Sequence, residues 1–351
     1  MNIIDYLQRA VADQASDIFI IAGGPLSEKV DGRIQPMDQE RLLPPQTKAL
    51  ITEIYALAER SMDDYSQQGD DDFAFAISGL ARFRVNAYRQ RGSLAAVVRI
   101  VSFSIPDWQQ IHIPQKIIDL AKTSHGMILM TGTAGSGKST TQACIIDEIN
   151  RTRDCHIITL EDPIEFLHRN KRSIVSQREI AVDTADYLSA LRACLRQAPD
   201  VILLGEMRDP ETIRTTITAA ETGHLIIATL HTKGAVNAID RIIDSFPSSH
   251  QAQIRMMLSM VLQTVVSQQM LPDKNGGMVP AFEVMHVNSA IRSMIRDNKS
   301  HQISNTMAAS NSSGMITMDQ AIVELYRQGL ITKETALDYA DTPELVNRQL
   351  N

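Results

Sequence analysis

Gly132-Thr133-Ala134-Gly135-Ser136-Gly137-Lys138-Ser139 constrains this chain more than any other stretch. It has the G-x-x-x-x-G-K-[ST] spacing of a phosphate-binding loop. The apolar run Met127 to Met130 before it predicts a buried parallel strand, and Thr140 to Asn150 after it has the composition of a helix. Glycines let such a loop wrap closely with its N–H groups pointing inward, and the helix N-terminus adds its positive dipole end. Lys138 is expected to reach the β- and γ-phosphates and the Ser139 hydroxyl to ligate Mg²⁺. The predicted nucleotide-binding set is Gly132, Thr133, Ala134, Gly135, Ser136, Gly137, Lys138, Ser139 and Thr140.

The rest of the chain must build a sheet around that loop. With 351 residues there is room for two or three domains, and 44% hydrophobic residues support ordinary buried cores. A net charge of -7 argues against nucleic acid as the main ligand, which usually demands a basic excess. Cys144, Cys155 and Cys194 are scattered without a C-x-x-C pair, which predicts neither a disulfide framework nor a cysteine zinc site and suits a reducing cytosol. No apolar run reaches the roughly 18 residues of a membrane span, and Met1 to Ala10 has no signal-peptide pattern. Work at a membrane would have to go through a partner.

The first hundred residues read as a small α/β unit with an antiparallel sheet. Asn2 to Ala15 has helical spacing; Asp17 to Ile21 and Ser27 to Ile34 read as strands, the second broken by a hairpin signal at Asp31-Gly32. A helix follows from about Gln46 to Arg60, then strands at Asp72 to Ile77, Ala81 to Arg89 and Ser93 to Val101. Arg82, Arg84, Arg89, Arg91 and Arg99 lie on or beside two adjacent strands, and alternation puts Arg82 and Arg84 on one face. They are either a solvated sheet face or arginines offered to a neighbouring subunit's nucleotide. Residues 1–103 form the expected first domain, 104–114 a linker with Pro106 and Pro114, and 115–351 the second domain.

In the second domain, carboxylates recur where strands end. His156 to Glu161 reads as a buried strand running into Asp162-Pro163-Ile164-Glu165, and Val201 to Leu204 as another running into Gly205-Glu206. In an open parallel sheet, ligands bind at that carboxyl edge. A strand of this kind often ends in an aspartate at the metal position. Here Gly205 stands just before Glu206, which points Glu206 towards the role of base or positioner of the attacking water. Metal binding then falls to Ser139, with Asp162 or Glu165 acting through water, as Mg²⁺ allows. His231 follows the strand Leu225 to Leu230 at the same edge and is expected to sense the γ-phosphate. Asp209-Pro210-Glu211 has the chemistry of a helix start, while His224 lies at the opposite strand end.

Taken in order, these blocks resemble the ATPases of secretion and type IV pilus machines, most closely the PilT-type retraction ATPases of twitching motility. The resemblance rests on Ala15 to Ile18, Ala81 to Asn86, the phosphate loop, Glu161 to Phe166, Leu195 to Asp200, Gly205 to Asp209, and Thr222 to Thr232. It implies a homohexameric ring that takes ATP and Mg²⁺, with a PAS-like N-terminal domain packed on a neighbour's RecA-like ATPase domain. By position it implies Glu206 as catalytic glutamate, Glu165 as the acidic-box residue near Mg²⁺ and water, and His231 as phosphate sensor. Arg82 and Arg84 match the arginines that reach a neighbour's site. Thr133-Ala134 stand where many relatives have Pro-Thr, and Ala290 to Asp297 resembles a retraction motif that usually ends in glutamate. Extension and type II secretion relatives usually carry a tetracysteine insertion and a longer N-terminal region; neither is present in this sequence, which favours retraction.

The remainder predicts a helical C-terminal part, about residues 288–351. Gln251 to Met270 reads as one long apolar helix, Ala281 to Met285 as a strand, and Ser289 to Arg296 as a helix with Arg292 and Arg296 four apart on one face. That face is either solvated or a docking surface for an inner-membrane pilus platform protein. Ser304 to Gly314 reads as a loop, followed by helices near Thr317 to Arg327 and Lys333 to Ala340 and a polar tail. The expected whole is an ATP-driven hexameric motor for pilus retraction, cytoplasmic and peripheral at the inner membrane. An accessory pilus or secretion motor, or a nucleotide-gated regulator that scarcely hydrolyses ATP, remain the alternatives.

Overall fold

The computed structural model describes residues 2–30, 32–63, 65, 69–101, 104–309 and 314–350. Asp31 of the expected hairpin signal and residues 310–313 of the expected loop lie outside the described residues, as do 102–103 at the expected domain end. The chain divides into two compact units, Met1–Ser104 with Ile164–Leu167, and Ile105–Pro163 with His168–Asn351.

The first unit is a six-stranded antiparallel sheet, PAS-like in form. Its strands are β1 (Asp17–Ile20), β2 (Pro25–Val30), β3 (Arg33–Arg41), β4 (Asp70–Ile77), β5 (Ala81–Gln90) and β6 (Ser93–Val101), ordered β3-β2-β1-β6-β5-β4. Strict alternation on β5 buries Ala81, Phe83, Val85 and Ala87 and leaves Arg82 and Arg84 on the other face. Helices Ile3–Ala12 and Pro44–Leu57 supply Ile3, Leu7, Ile51 and Ile54 to the core. Asn2 and Asp5 close a capping box at the first helix. Tyr55 donates to Asp71 at 2.9 Å, and Arg60 grips the same carboxylate from Nε and Nη2, tying β4 to the second helix.

The second unit is RecA-like. β7 (Gly126–Thr131), β8 (His156–Glu161), β9 (Ile174–Glu179), β10 (Val201–Leu204), β11 (Leu225–Leu230), β12 (Leu262–Pro272) and β13 (Met278–His286) form one sheet, ordered β13-β12-β7-β11-β10-β8-β9. All neighbours pair parallel except β12 with β13. After β7 the chain passes over the positions later filled by β11 and β10 before laying down β8. That order brings the ends of β7, β11, β10 and β8 side by side, where ligands bind in such sheets. Every residue of β7, β10 and β11 is buried. Helices on both faces complete the cores, one built around Leu129, Leu204 and Ile239, the other around Ile128, Ile145 and Leu203.

Several expectations are corrected here. Gln251 to Met270 is not one helix: the helix Ser248–Val261 stops and β12 begins at Leu262. β12 lies inside the sheet between β7 and β13, and its successive Val265 and Val266 enter the cores packed on opposite faces, so most of its residues are buried and show no alternation. β9 was not anticipated as a strand. Residues 304–309 belong to the helix Ile303–Ala309, and the expected polar tail is the helix Pro343–Leu350, which buries Val346. Arg292 is no part of a solvated face: its Nη1 donates to Ser259 O and Met260 O, both at 2.7 Å, closing the end of the helix Ser248–Val261. Arg296 pairs with Asp297 at 3.4 Å.

Candidate active site

The phosphate loop leaves the end of β7 and enters the helix Lys138–Thr152, with Gly137 as its N-cap at φ 82°. Only glycine holds that left-handed conformation without strain, and the space is also closed: a Cβ at Gly137 would lie 2.8 Å from Gln268 Nε2. At Gly132, a Cβ would meet the Gln268 carbonyl oxygen at 2.3 Å. Gln268, on β12 and 1% exposed, therefore forms the floor of the loop, and its Oε1 accepts from Thr141 Oγ1 at 2.9 Å. Lys138 is buried; its ammonium donates to the carbonyls of Gly132 and Thr133 at 2.9 and 2.6 Å, across the loop. Ser136 is buried, Thr133, Ala134 and Gly135 are exposed, and Ser139 and Thr140 lie half-buried in the first helical turn.

Next along the edge comes Glu206. β10 pairs with β8 and β11 in register, Leu204 opposite Leu160 and Ala228, and Gly205 N donates to Leu160 O at 2.8 Å. Met207 N donates to Thr229 O at 3.2 Å, so the carboxylate between them is held at the sheet edge. Glu206 is 7% exposed. Its Oε1 pairs with Arg208 Nη2 at 2.5 Å, and His231 Nε2 lies 3.5 Å from its Oε2. The hydrogen bond to Glu206 raises the Arg208 guanidinium further above its ordinary value. A Cβ at position 205 would lie 2.9 Å from the Tyr187 hydroxyl and 3.1 Å from Leu160 O, which explains why a glycine precedes the acid. Burial, then the charges of Glu206 and Asp162, push the Tyr187 phenol above its ordinary value.

The structure thus gathers Lys138, Glu206 and His231 along adjacent strand ends of one unit. Thr131, the last residue of β7, donates from its hydroxyl to Thr232 O and so ties the histidine loop to the strand that carries the phosphate loop. His224 faces the other end, its Nδ1 within reach of Ala219 O at 2.9 Å. Glu161 accepts from Thr159 at 2.6 Å and from Gln177 on β9 at 3.2 Å, which braces the end of β8 against β9. Glu165 is exposed and falls in Ile164–Leu167, which groups with the first unit. Arg82 and Arg84 are half-buried on that unit's sheet, where Arg84 stands opposite Arg99. Arg99 itself is engaged by Asp17 at 2.9 Å, and Arg89 lies over the Tyr65 ring, so those two have local work. Sequence reasoning gave no role to Arg208, Tyr187 or Gln268. Arg208, two residues after Glu206, was the one with a visible signal.

The donor set fits a magnesium nucleotide. Among the described residues no cluster of three or more His, Cys, Asp or Glu could hold a metal ion. Mg²⁺ commonly binds through phosphate oxygens, waters and one or two protein oxygens, and the half-buried Ser139 hydroxyl beside the loop is such an oxygen.

Comparison with known proteins agrees with this geometry. The chain is 41% identical, over 98% of its length and 99% of the relative, to the type IV pilus retraction ATPase PilT of Pseudomonas aeruginosa. It is 39% identical, over 96% of its length and 88% of the relative, to the type IV pilus ATPase PilU of the same organism. A crystal structure of the pilus retraction motor PilT with bound ADP superposes with a TM-score of 0.89 at 44% identity, covering 99% of each chain. The family described as type II/IV secretion system protein matches residues 2–329, and the chain belongs to that family.

Proposed function

We infer that this chain is an ATPase that drives retraction of type IV pili. The single observation that carries the hydrolytic part is Glu206, buried at the strand edge that bears the phosphate loop and held there by Arg208 and His231. The pilus assignment is supported by the likeness to the retraction ATPase over 98% of the chain. ATP would seat its phosphates on the N–H groups of Gly132 to Thr140, with Lys138 exchanging the loop carbonyls for phosphate oxygens. Mg²⁺, held through Ser139, would balance the charge that develops on the transferred phosphoryl group. Glu206 orients the attacking water, and His231 reads the γ-phosphate.

The homohexamer is part of the same reading, because Arg82 and Arg84 belong to a unit with no phosphate loop of its own and would act on a neighbour's nucleotide. No helix among the described residues is long and apolar enough to cross a membrane. We place the motor at the cytoplasmic face of the inner membrane, held there by a platform protein. Substituting Glu206→Gln tests the chemistry: turnover should fall about 10²- to 10⁴-fold while ADP still binds, and an unchanged rate would remove Glu206 from the mechanism. The chain is 39% identical to a second type IV pilus ATPase as well, so a motor that works beside the main one is the second reading. A deletion strain separates the two: surface pili that never retract mark the main motor, and retraction that persists with reduced force marks the accessory one.

A further inference from the structure

Glu283, on β13, takes part in none of the chemistry above. Its Oε1 accepts from Ala235 N at 2.7 Å and its Oε2 from Met318 N at 3.3 Å. Those are the first residues of two helices, Ala235–Asp244 and Met318–Arg327. Helix N-termini leave N–H groups unpaired and favour negative charge, and one carboxylate here serves two of them. The first helix has only Gly234 at its N-cap, with no side-chain acceptor of its own. Burial raises the Glu283 carboxyl above its ordinary value, and the two backbone donors oppose that rise.

The position of the first helix gives this joint its meaning, since it starts four residues after His231. Each residue between is held. Thr131 donates to Thr232 O, Lys233 Nζ pairs with Asp341 at 2.8 Å, and Gly234 N donates to Ser267 Oγ on β12 at 3.0 Å. Asp341 N in turn donates to Asp319 Oδ1 at 2.7 Å, and Asp319 is the second residue of the helix that Glu283 caps. Two connections therefore run from the histidine loop to the helix Met318–Arg327. One is buried and passes through Glu283; the other is half-exposed and passes through Lys233 and Asp341. Exposed pairs contribute little, so the buried one dominates.

We propose that Glu283 is a positioning residue for ATP hydrolysis, which acts through the His231 loop and couples the phosphate state read there to the C-terminal helices. This rests on the ATPase reading above. A carboxylate shared by a strand and two helix starts cannot follow one helix without disturbing the other. A shift of the His231 loop on loss of the γ-phosphate would be passed through Ala235 and Glu283 to Met318.

The test is a double-mutant cycle on the full-length protein, with kcat, KM and ADP affinity measured for Glu283→Gln, His231→Ala and the pair. Glutamine keeps one acceptor and turns an amide towards the other helix start, so one of the two caps is lost. Glu283→Gln should lower kcat about tenfold with KM and ADP affinity within about twofold, and should cost less than about twofold in the His231→Ala background. Multiplicative losses, or a lower melting temperature with unchanged kcat, would overturn the proposal and leave Glu283 a structural cap. Should Glu283→Gln fail to fold, Glu283→Asp keeps the charge and shortens its reach to the two helix starts. It should lower kcat about two- to fivefold, again without effect once His231 is gone; a multiplicative loss there rejects the proposal equally. If the parent protein turns over no ATP, the ATPase reading fails; if it does and the cycle is additive, only the coupling fails.

Discussion

Gly205→Ala should damage this enzyme out of proportion to one methyl group. The added Cβ would lie 2.9 Å from the Tyr187 hydroxyl, 3.1 Å from Leu160 O and 3.3 Å from Glu161 Cα. Two of those three atoms are main chain at the end of β8, which is paired on both sides by β10 and β9 and yields only by moving the sheet edge. Overpacking of this kind costs about 1–3 kcal/mol. In a chain of 351 residues that is a fall of roughly 1–4 °C in melting temperature. The kinetic effect should be larger, because Glu206, the carboxylate we propose to orient the water, is the next residue, and a shift of about 1 Å in such a group costs about 10²-fold. Calorimetry and steady-state ATP turnover on the same preparation read both quantities. Tyr187→Phe in the Gly205→Ala background removes the hydroxyl contact and leaves the two main-chain contacts. It should therefore recover part of the lost stability, about 1 kcal/mol, and little of the rate. A Gly205→Ala protein that melts within about 1 °C of its parent and keeps its kcat would show that the space behind the carboxylate is not closed.

Other perturbations follow from the same geometry. Lys138→Ala removes the only charged donor buried within the loop's span and should weaken ADP binding by about 3 kcal/mol, roughly 10²-fold, as read by a fluorescent nucleotide. Gln268→Ala leaves Thr141 Oγ1 without its acceptor beneath the loop and should weaken the same binding about five- to tenfold. His168 Nδ1 is buried with no hydrogen-bond partner among the described residues, and burial, more than the neighbouring charges of Asp147 and Lys171, pushes the imidazole down from 6.5 to about 4. Between those values the unfolded chain binds a proton that the folded chain refuses, so stability falls as pH drops through that window. The loss is about 2 kcal/mol at pH 5 and about 3 kcal/mol below pH 4. Urea unfolding of His168→Gln between pH 7 and pH 5 should show a smaller acid-induced fall in midpoint than the parent.

How far the fold could be read beforehand depended on where each strand's apolar face went. On β5, one face is buried and the other carries Arg82 and Arg84, so alternation was visible and the placement of those arginines followed. The loop strand β7 is buried on both faces, yet Gly132 and the following helix marked its end. β12 has neither aid. Its Leu262 to Met270 run continues the apolar spacing of the helix before it without a glycine or proline between, and a strand buried on both faces cannot be told from a buried helix by periodicity. The β-branched Thr264-Val265-Val266 was the one local signal for a strand. The C-terminal helix Pro343–Leu350 was hidden for the opposite reason: it contributes a single fully buried residue, Val346, so its sequence is mostly polar.

The same physical difference decided which parts of the site were legible. Glu206 and His231 stand within two residues of an apolar run that ends abruptly, and Lys138 closes a motif of fixed spacing that follows another, so residue type and place at the sheet edge are local facts for all three. Gln268 and Glu283 support the site from strands far along the chain, and what each does depends on which face of β12 or β13 it occupies and which loop lies against that face. A buried glutamine in a helix and a buried glutamine under a phosphate loop look alike in sequence. Only the pairing of β12 with β7 puts Gln268 beneath Gly132 and Gly137, and only the return of β13 beside β12 puts Glu283 at the start of the helix that His231 leads into. The groups proposed to meet the nucleotide are written locally, whereas the groups that hold them depend on sheet order. An enzyme that must turn phosphate chemistry into movement needs the second kind as much as the first, since motion leaves the site only through what holds it.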